Sequence, residues 1–150
     1  MTAKNPVEQM LNVALATATR HFEFYHDAAQ KVATPEVKAL LLILADSEGK
    51  MIDEIRDMMV TGILDEIEKV TDFNPAEDPP DDTPFAPERM DTDPRIYVCN
   101  KALQQEIRGY TFYLSIATRA KSEMISRLFE YFANIKAQQI KRIRKVCQHL

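Results

Sequence analysis

A chain of 150 residues with 45% hydrophobic content is long enough to enclose one core, and its formal net charge of −4 leaves no basic footprint for a nucleic acid. The longest apolar run, Ala39 to Ala45, has seven residues, against roughly 20 for a membrane span, and the N-terminus lacks a basic-then-apolar export pattern. Neither nucleic acid nor membrane is therefore expected as a partner, and a cytoplasmic location is expected.

Only three glycines occur, and the eight prolines sit at the edges of periodic segments, which favours long helices. The first helix is predicted over 6–33, where Asn5-Pro6-Val7-Glu8 places a capping Asn before a proline at the first helical position. Thr34-Pro35-Glu36 repeats the pattern and opens a second helix over 35–60, with an extension to 69 allowed by the sequence. Its apolar stripe is Val37, Leu40, Leu41, Leu44, Met51, Ile52, Ile55 and Met59. Residues 70–93 differ in composition: Pro75, Pro79, Pro80, Pro84 and Pro87 are interspersed with eight acidic residues. This segment reads as an extended crossover with little to bury. Asp93-Pro94 starts a third helix over 94–121, and Ser122-Glu123 a fourth over 123–149 with the stripe Ile125, Leu128, Phe129, Phe132, Ile140 and Ile143. Helices joined this directly form antiparallel hairpins. The expectation is a single domain over 1–150, with hairpin 6–69, crossover 70–93 and hairpin 94–149.

The hairpins are copies of one another. Residues 14–56 align with 102–144 without a gap, and 11 of the 43 pairs are identical, among them Arg20/Arg108, Phe24/Phe112, Tyr25/Tyr113, Ala29/Ala117 and Arg56/Arg144. Such a match implies a bundle with a pseudo-two-fold axis.

The stretches Phe24-Tyr25-His26-Asp27-Ala28-Ala29 and Leu40 to Glu48, with their counterparts Glu106 to Tyr113 and Leu128 to Ala133, resemble the rubrerythrin branch of the ferritin-like superfamily. The resemblance covers roughly residues 10–60 and 98–147, and implies an all-α, ferritin-like four-helix bundle. It further implies that each hairpin supplies a Glu seven residues before the Tyr of a Phe-Tyr pair, and a Glu-x-x-His on the next helix, to hold two metal ions. Residues seven apart share a helix face two turns apart, and residues three apart are neighbours on it.

This chain departs from that pattern. The first-helix Glu position is Ala18; Glu48 is kept, but its His partner is Met51. In the second copy Glu106 is kept, Lys136 stands at the other Glu position and Gln139 at the His position. Two of six ligands thus remain, Glu48 and Glu106, and a cation replaces a third. A buried carboxylate needs a partner, so Lys136 is expected to pair with Glu48 and Glu106, with Tyr25 and Tyr113 as hydrogen-bond donors to the same layer. A rearranged site using His21 with the two glutamates is an alternative, although His21 lies about 60° off the Ala18 direction. His21 and His26 are otherwise read as partly exposed surface groups.

Met10, Met51, Met58, Met59 and Met124 read as core filler, and Phe24, Phe112, Tyr110 and Tyr131 as core or interface. The basic stretch Lys136, Lys141, Arg142, Arg144 and Lys145 suits a helix C-terminus and is able to meet the acidic crossover. Cys99 and Cys147 match no zinc or redox spacing, and reduced thiols are expected. Across a hairpin turning near Lys121-Ser122 they lie at similar heights, so a disulfide is geometrically allowed.

The resulting expectation is a bundle without a resident cofactor, probing no chemistry of its own, that acts as a binding or structural protein and forms a homodimer by analogy of fold. The alternative is an oxidoreductase or iron-handling protein, with iron, manganese or zinc at Glu48 and Glu106. A small-molecule carrier is a third class, for which the sequence offers no specific cue.

Overall fold

The computed structural model describes residues 6–62 and 79–150. It is all-α: α1 spans Pro6–Lys31, α2 Pro35–Thr61, α3 Pro94–Arg119 and α4 Glu123–Cys147. All four helices begin where proline and capping chemistry place them. Asp93 accepts a hydrogen bond from the Arg95 N–H, and Ser122 accepts one from Ile125. Thr34 is extended but makes no such side-chain bond, so Pro35 alone opens α2. That helix ends at Gly62, whose φ of 101° takes the chain out of the helix while its N–H donates to the Met58 carbonyl. The extension to residue 69 lies outside the described residues.

α1 packs on α2 and α3 on α4, forming two hairpins joined by a long linker. The core divides into two clusters. In one, Leu11 and Ala14 of α1 meet Met51, Ile55 and Met58 of α2, Tyr113 and Ala117 of α3, and Leu128, Phe129 and Phe132 of α4. In the other, Tyr25, Ala28 and Ala29 meet Leu40, Leu41 and Leu44, Cys99, Ala102 and Leu103, and Ile140 and Ile143. The start of α1 thus lies with the end of α3, and the end of α1 with the start of α3. These two helices run antiparallel, as the pseudo-two-fold relation between the hairpins requires. Met59 and Met124 are exposed rather than core, so the methionine reading holds for Met51 and Met58 and for Met10, which packs half-buried against them.

The described part of the crossover is anchored more firmly than its composition implies. Phe85 is buried, an anchor within a segment expected to have little to bury. Its N–H donates to Asn100 Oδ1 at 2.8 Å, and Asn100 Nδ2 donates to the Phe85 carbonyl at 2.9 Å. Ala86 follows in the left-handed region at φ 32°, a conformation costing about 1–2 kcal/mol for an L-residue. Pro87–Arg89 then form one 3-10 turn. Arg144 of α4 meets this acidic strand as its charge allows: it donates to the carbonyls of Asp81 and Thr83, pairs with the Asp81 carboxylate at 3.3 Å and lies over the Phe85 ring.

Cys99 and Cys147 form a disulfide, with Cα atoms 6.1 Å apart. This corrects the expectation of reduced thiols: both side chains face the same end of the core, which their heights along the hairpin did not specify. A structural disulfide is rare in a reducing cytosol, so the bond lends no support to a cytoplasmic location. Among the described residues no helix is long and apolar enough to cross a membrane.

Candidate functional site

Between the two apolar clusters lies a polar layer. Each hairpin contributes to it from the same positions, because the repeat preserves spacing. α1 supplies Ala18, His21 and Tyr25, residues three and seven apart on one face, and α2 supplies Glu48 and Met51. α3 supplies Glu106, Gly109 and Tyr113, and α4 supplies Lys136 and Gln139. All six positions that the resemblance assigns to ligands are buried: Ala18, Glu48, Met51, Glu106, Lys136 and Gln139.

Lys136 is fully buried and occupies the centre. Its ammonium donates to Glu48 Oε1 and lies 3.0 Å from Glu106 Oε2. A third neighbour is His21 Nδ1 at 3.3 Å, which accepts from the ammonium in the tautomer that carries its proton on Nε2. The sequence reading of His21 as a surface group is therefore corrected: only 9% of the residue is exposed, and Nδ1 is 3.8 Å from Glu48 Oε1. A helix-wheel offset of about 60° still falls inside the broad buried face of a bundle helix. His26, by contrast, is an exposed group beside Asp27.

Tyr25 completes the layer by donating its hydroxyl to Glu106 Oε1 at 2.7 Å. The bond crosses from the first hairpin to the retained carboxylate of the second. Under the repeat, Tyr113 would make the same bond to position 18. That residue is Ala18, and the buried Tyr113 hydroxyl has no hydrogen-bond partner among the described residues. Glu48 Oε2 and both amide atoms of Gln139 are likewise buried without one.

The electrostatics follow from burial set against the ammonium. Burial pushes the Glu106 carboxyl up to about 7, with repulsion from Glu48 adding and attraction to Lys136 opposing. Burial also acts on Glu48, but Lys136 and His21 outweigh it and hold its carboxyl below the usual range. Burial alone would lower Lys136; the carboxylates of Glu106 and Glu48 reverse that and hold the ammonium charged. Burial, then Glu106, raises Tyr25 far above its ordinary range, so its hydroxyl remains a donor. Near neutral pH the layer thus holds one firm ion pair and a second carboxyl close to its midpoint.

The donor set tests poorly for a metal ion. His21, Glu48 and Glu106 offer ligand atoms within 4.8 Å of one another, the one such group among the described residues. Those groups are also the three neighbours of Lys136 Nζ. An ammonium in contact with both carboxylates opposes a second cation among them, so the residues present do not fit a metal centre while Lys136 is charged.

Gly109 is a member of this layer that the sequence reading missed, whereas His21 entered it only through the alternative that joins it to Glu48 and Glu106. An ideal Cβ on Gly109 would lie 3.1 Å from Lys136 Cε and 3.3 Å from Cδ, so the missing side chain makes room for the lysine stem. The signal was present in the repeat, where His21 aligns with Gly109: a side chain is lost in the second copy at the place where Lys136 passes. Away from the layer, the Tyr131 hydroxyl lies 3.0 Å from both Glu54 oxygens, an interaction between α4 and α2. No family model, curated protein or solved structure matches the chain.

Proposed function

We propose that this chain is a ferritin-like, rubrerythrin-related bundle in which a protein cation stands in for the metal ions of its relatives, and that it serves as a non-catalytic binding or structural protein, as a homodimer. The observation that carries this reading is the burial of Lys136 between Glu48 and Glu106. The pairing of Tyr25 but not Tyr113 supports it, since the unpaired hydroxyl faces the copy whose carboxylate is replaced by Ala18. Lys136 engages both glutamates, which favours a structural role for the cluster over acid–base work.

A second reading has one specific observation in its favour, the convergence of His21, Glu48 and Glu106 within 4.8 Å. In it these residues hold iron, manganese or zinc after Lys136 loses its proton or turns away.

Elemental analysis of protein expressed with iron, manganese and zinc supplements separates the two. The expected result is no stoichiometric metal; near-stoichiometric iron or manganese overturns the first reading. A companion variant, Ala18→Glu with Met51→His, Lys136→Glu and Gln139→His, rebuilds the ligand pattern and is expected to gain metal. A correctly folded variant that gains none would count against the alignment with the family.

A further inference from the structure

Alongside the buried layer, and sharing His21 and Gly109 with it, a groove of about 400 Å³ lies between α1 and α3, a size within the range of small-ligand sites. Arg20 lines it from α1 and Arg108 from α3. The two are equivalent positions of the repeat, and the antiparallel run of α1 against α3 brings them to opposite walls across the pseudo-two-fold axis. Both are exposed, and neither has an ion-pair or hydrogen-bond partner among the described residues. Four of the other seven arginines are engaged: Arg89 and Arg95 pair with Asp93, Arg127 with Glu130 and Arg144 with Asp81. A chain of net charge −4 thus keeps two unpaired guanidiniums in one concavity.

The remaining surface of the groove is suited to a short carbon chain. Val13 and Phe112 expose apolar surface there, at 47% and 37%. Gly109 keeps the floor low, with His21 beside it.

We propose that this groove binds a short dicarboxylate. Guanidinium and carboxylate match in planar, two-point hydrogen bonding. Two like cations on opposite walls call for a ligand with two like anionic ends, and its methylene body would rest on Val13 and Phe112. The groove shares His21 and Gly109 with the Lys136 layer, but its two arginines take no part in that layer, and the diacid titration reads them directly.

Isothermal titration of the full chain with malate, succinate, acetate and inorganic phosphate provides the test, with circular dichroism to verify that each variant is folded. One saturable site is expected for malate and succinate, with acetate weaker by about 100-fold. Arg20→Gln and Arg108→Gln each reduce diacid affinity by about tenfold or more, while Arg119→Gln, at the end of α3 and outside the groove, leaves it unchanged. The proposal is overturned by the absence of saturable binding to either diacid up to about 10 mM, by phosphate binding as tightly as the diacids, or by arginine variants that bind like the parent.

Discussion

Gly109 and Lys136 are complementary in shape: the space a side chain on Gly109 would fill is taken by the lysine stem, 3.1 Å from the ideal Cβ. Glycine inside a helix is unfavourable by about 0.5–1 kcal/mol relative to alanine, so an unconstrained Gly109→Ala change would stabilise α3. Here the stem is walled in and tethered at Nζ by two carboxylates, and cannot move aside. Gly109→Ala is expected to lower stability by about 1 kcal/mol. In a Lys136→Ala background the same change should instead stabilise, toward the helix-propensity gain. Urea unfolding of the four proteins measures this reversal of sign; equal effects in both backgrounds would show that the two residues do not interact.

Removing the cation should be more damaging than removing the whole cluster. Lys136→Met leaves Glu48 and Glu106 facing each other without a counter-charge, and is expected to destabilise by about 3–5 kcal/mol. Adding Glu48→Gln and Glu106→Gln should recover most of that loss, because the uncompensated charges are gone. Unfolding midpoints of the single and triple variants test the point. A Lys136→Met effect within about 0.5 kcal/mol would place the lysine at the surface.

The two tyrosines of the repeat should respond differently to the same substitution. Tyr25→Phe removes the donor to Glu106 and leaves a buried carboxyl oxygen unpaired, with an expected loss of about 1.5–3 kcal/mol. Tyr113→Phe removes a hydroxyl that has no partner, so its effect should lie within about 0.5 kcal/mol of zero or be stabilising. Thermal or urea unfolding suffices, and equal losses would mean that Tyr113 is hydrogen-bonded in solution.

How far the sequence reveals this arrangement depends on the kind of signal. Helix starts were legible at Pro35, Pro94 and Glu123 because proline and capping side chains act locally. The ligand-equivalent positions were legible because the gapless repeat carries one spacing into both copies, and Lys136 followed from the alignment with Glu48. His21 was half legible, named in the alternative site with Glu48 and Glu106 but otherwise read as a surface group, since a helix wheel gives direction but not the width of the buried face. Phe85 was not, because a single anchoring side chain in an aperiodic segment leaves no pattern; its partner Asn100 lies on another element. The pairing of Cys99 with Cys147 was half legible: hairpin geometry gave their heights, but not that both face inward.

The layer should also leave a mark on pH dependence. With its carboxyl raised to about 7 by burial, Glu106 binds more protons in the folded state than in the unfolded state, where it titrates near 4.3. Its contribution to stability is therefore fully present below the unfolded value and is lost as pH rises through about 7. Glu48, held below the usual range, acts in the opposite sense, losing its contribution as pH falls. Comparison with Glu106→Gln isolates the first effect. The stability of the parent relative to this variant should decline between about pH 5 and 8. A difference that rises over that interval would mean that Glu106 is ionised more easily in the folded protein than in the unfolded chain.

The disulfide gives the last prediction. Cys99 and Cys147 are 48 positions apart and close a loop containing the whole α3–α4 turn. Restricting the unfolded chain over that length is worth about 4 kcal/mol in the chain-entropy account. Reductant should lower the stability of the parent by about 3–4 kcal/mol and leave a Cys99→Ala/Cys147→Ala variant unaffected. The loss should have a location as well as a size. Near the bond, Asn100 holds both backbone groups of Phe85, and Arg89 Nη1 donates to the Leu150 carbonyl at 2.9 Å. Reduction loosens the ends of α3 and α4 against each other, so the Phe85 amide should lose protection from hydrogen exchange before amides beside Glu48 and Lys136 at the centre. Uniform loss of protection along the bundle would show instead that the bond acts only on the unfolded chain.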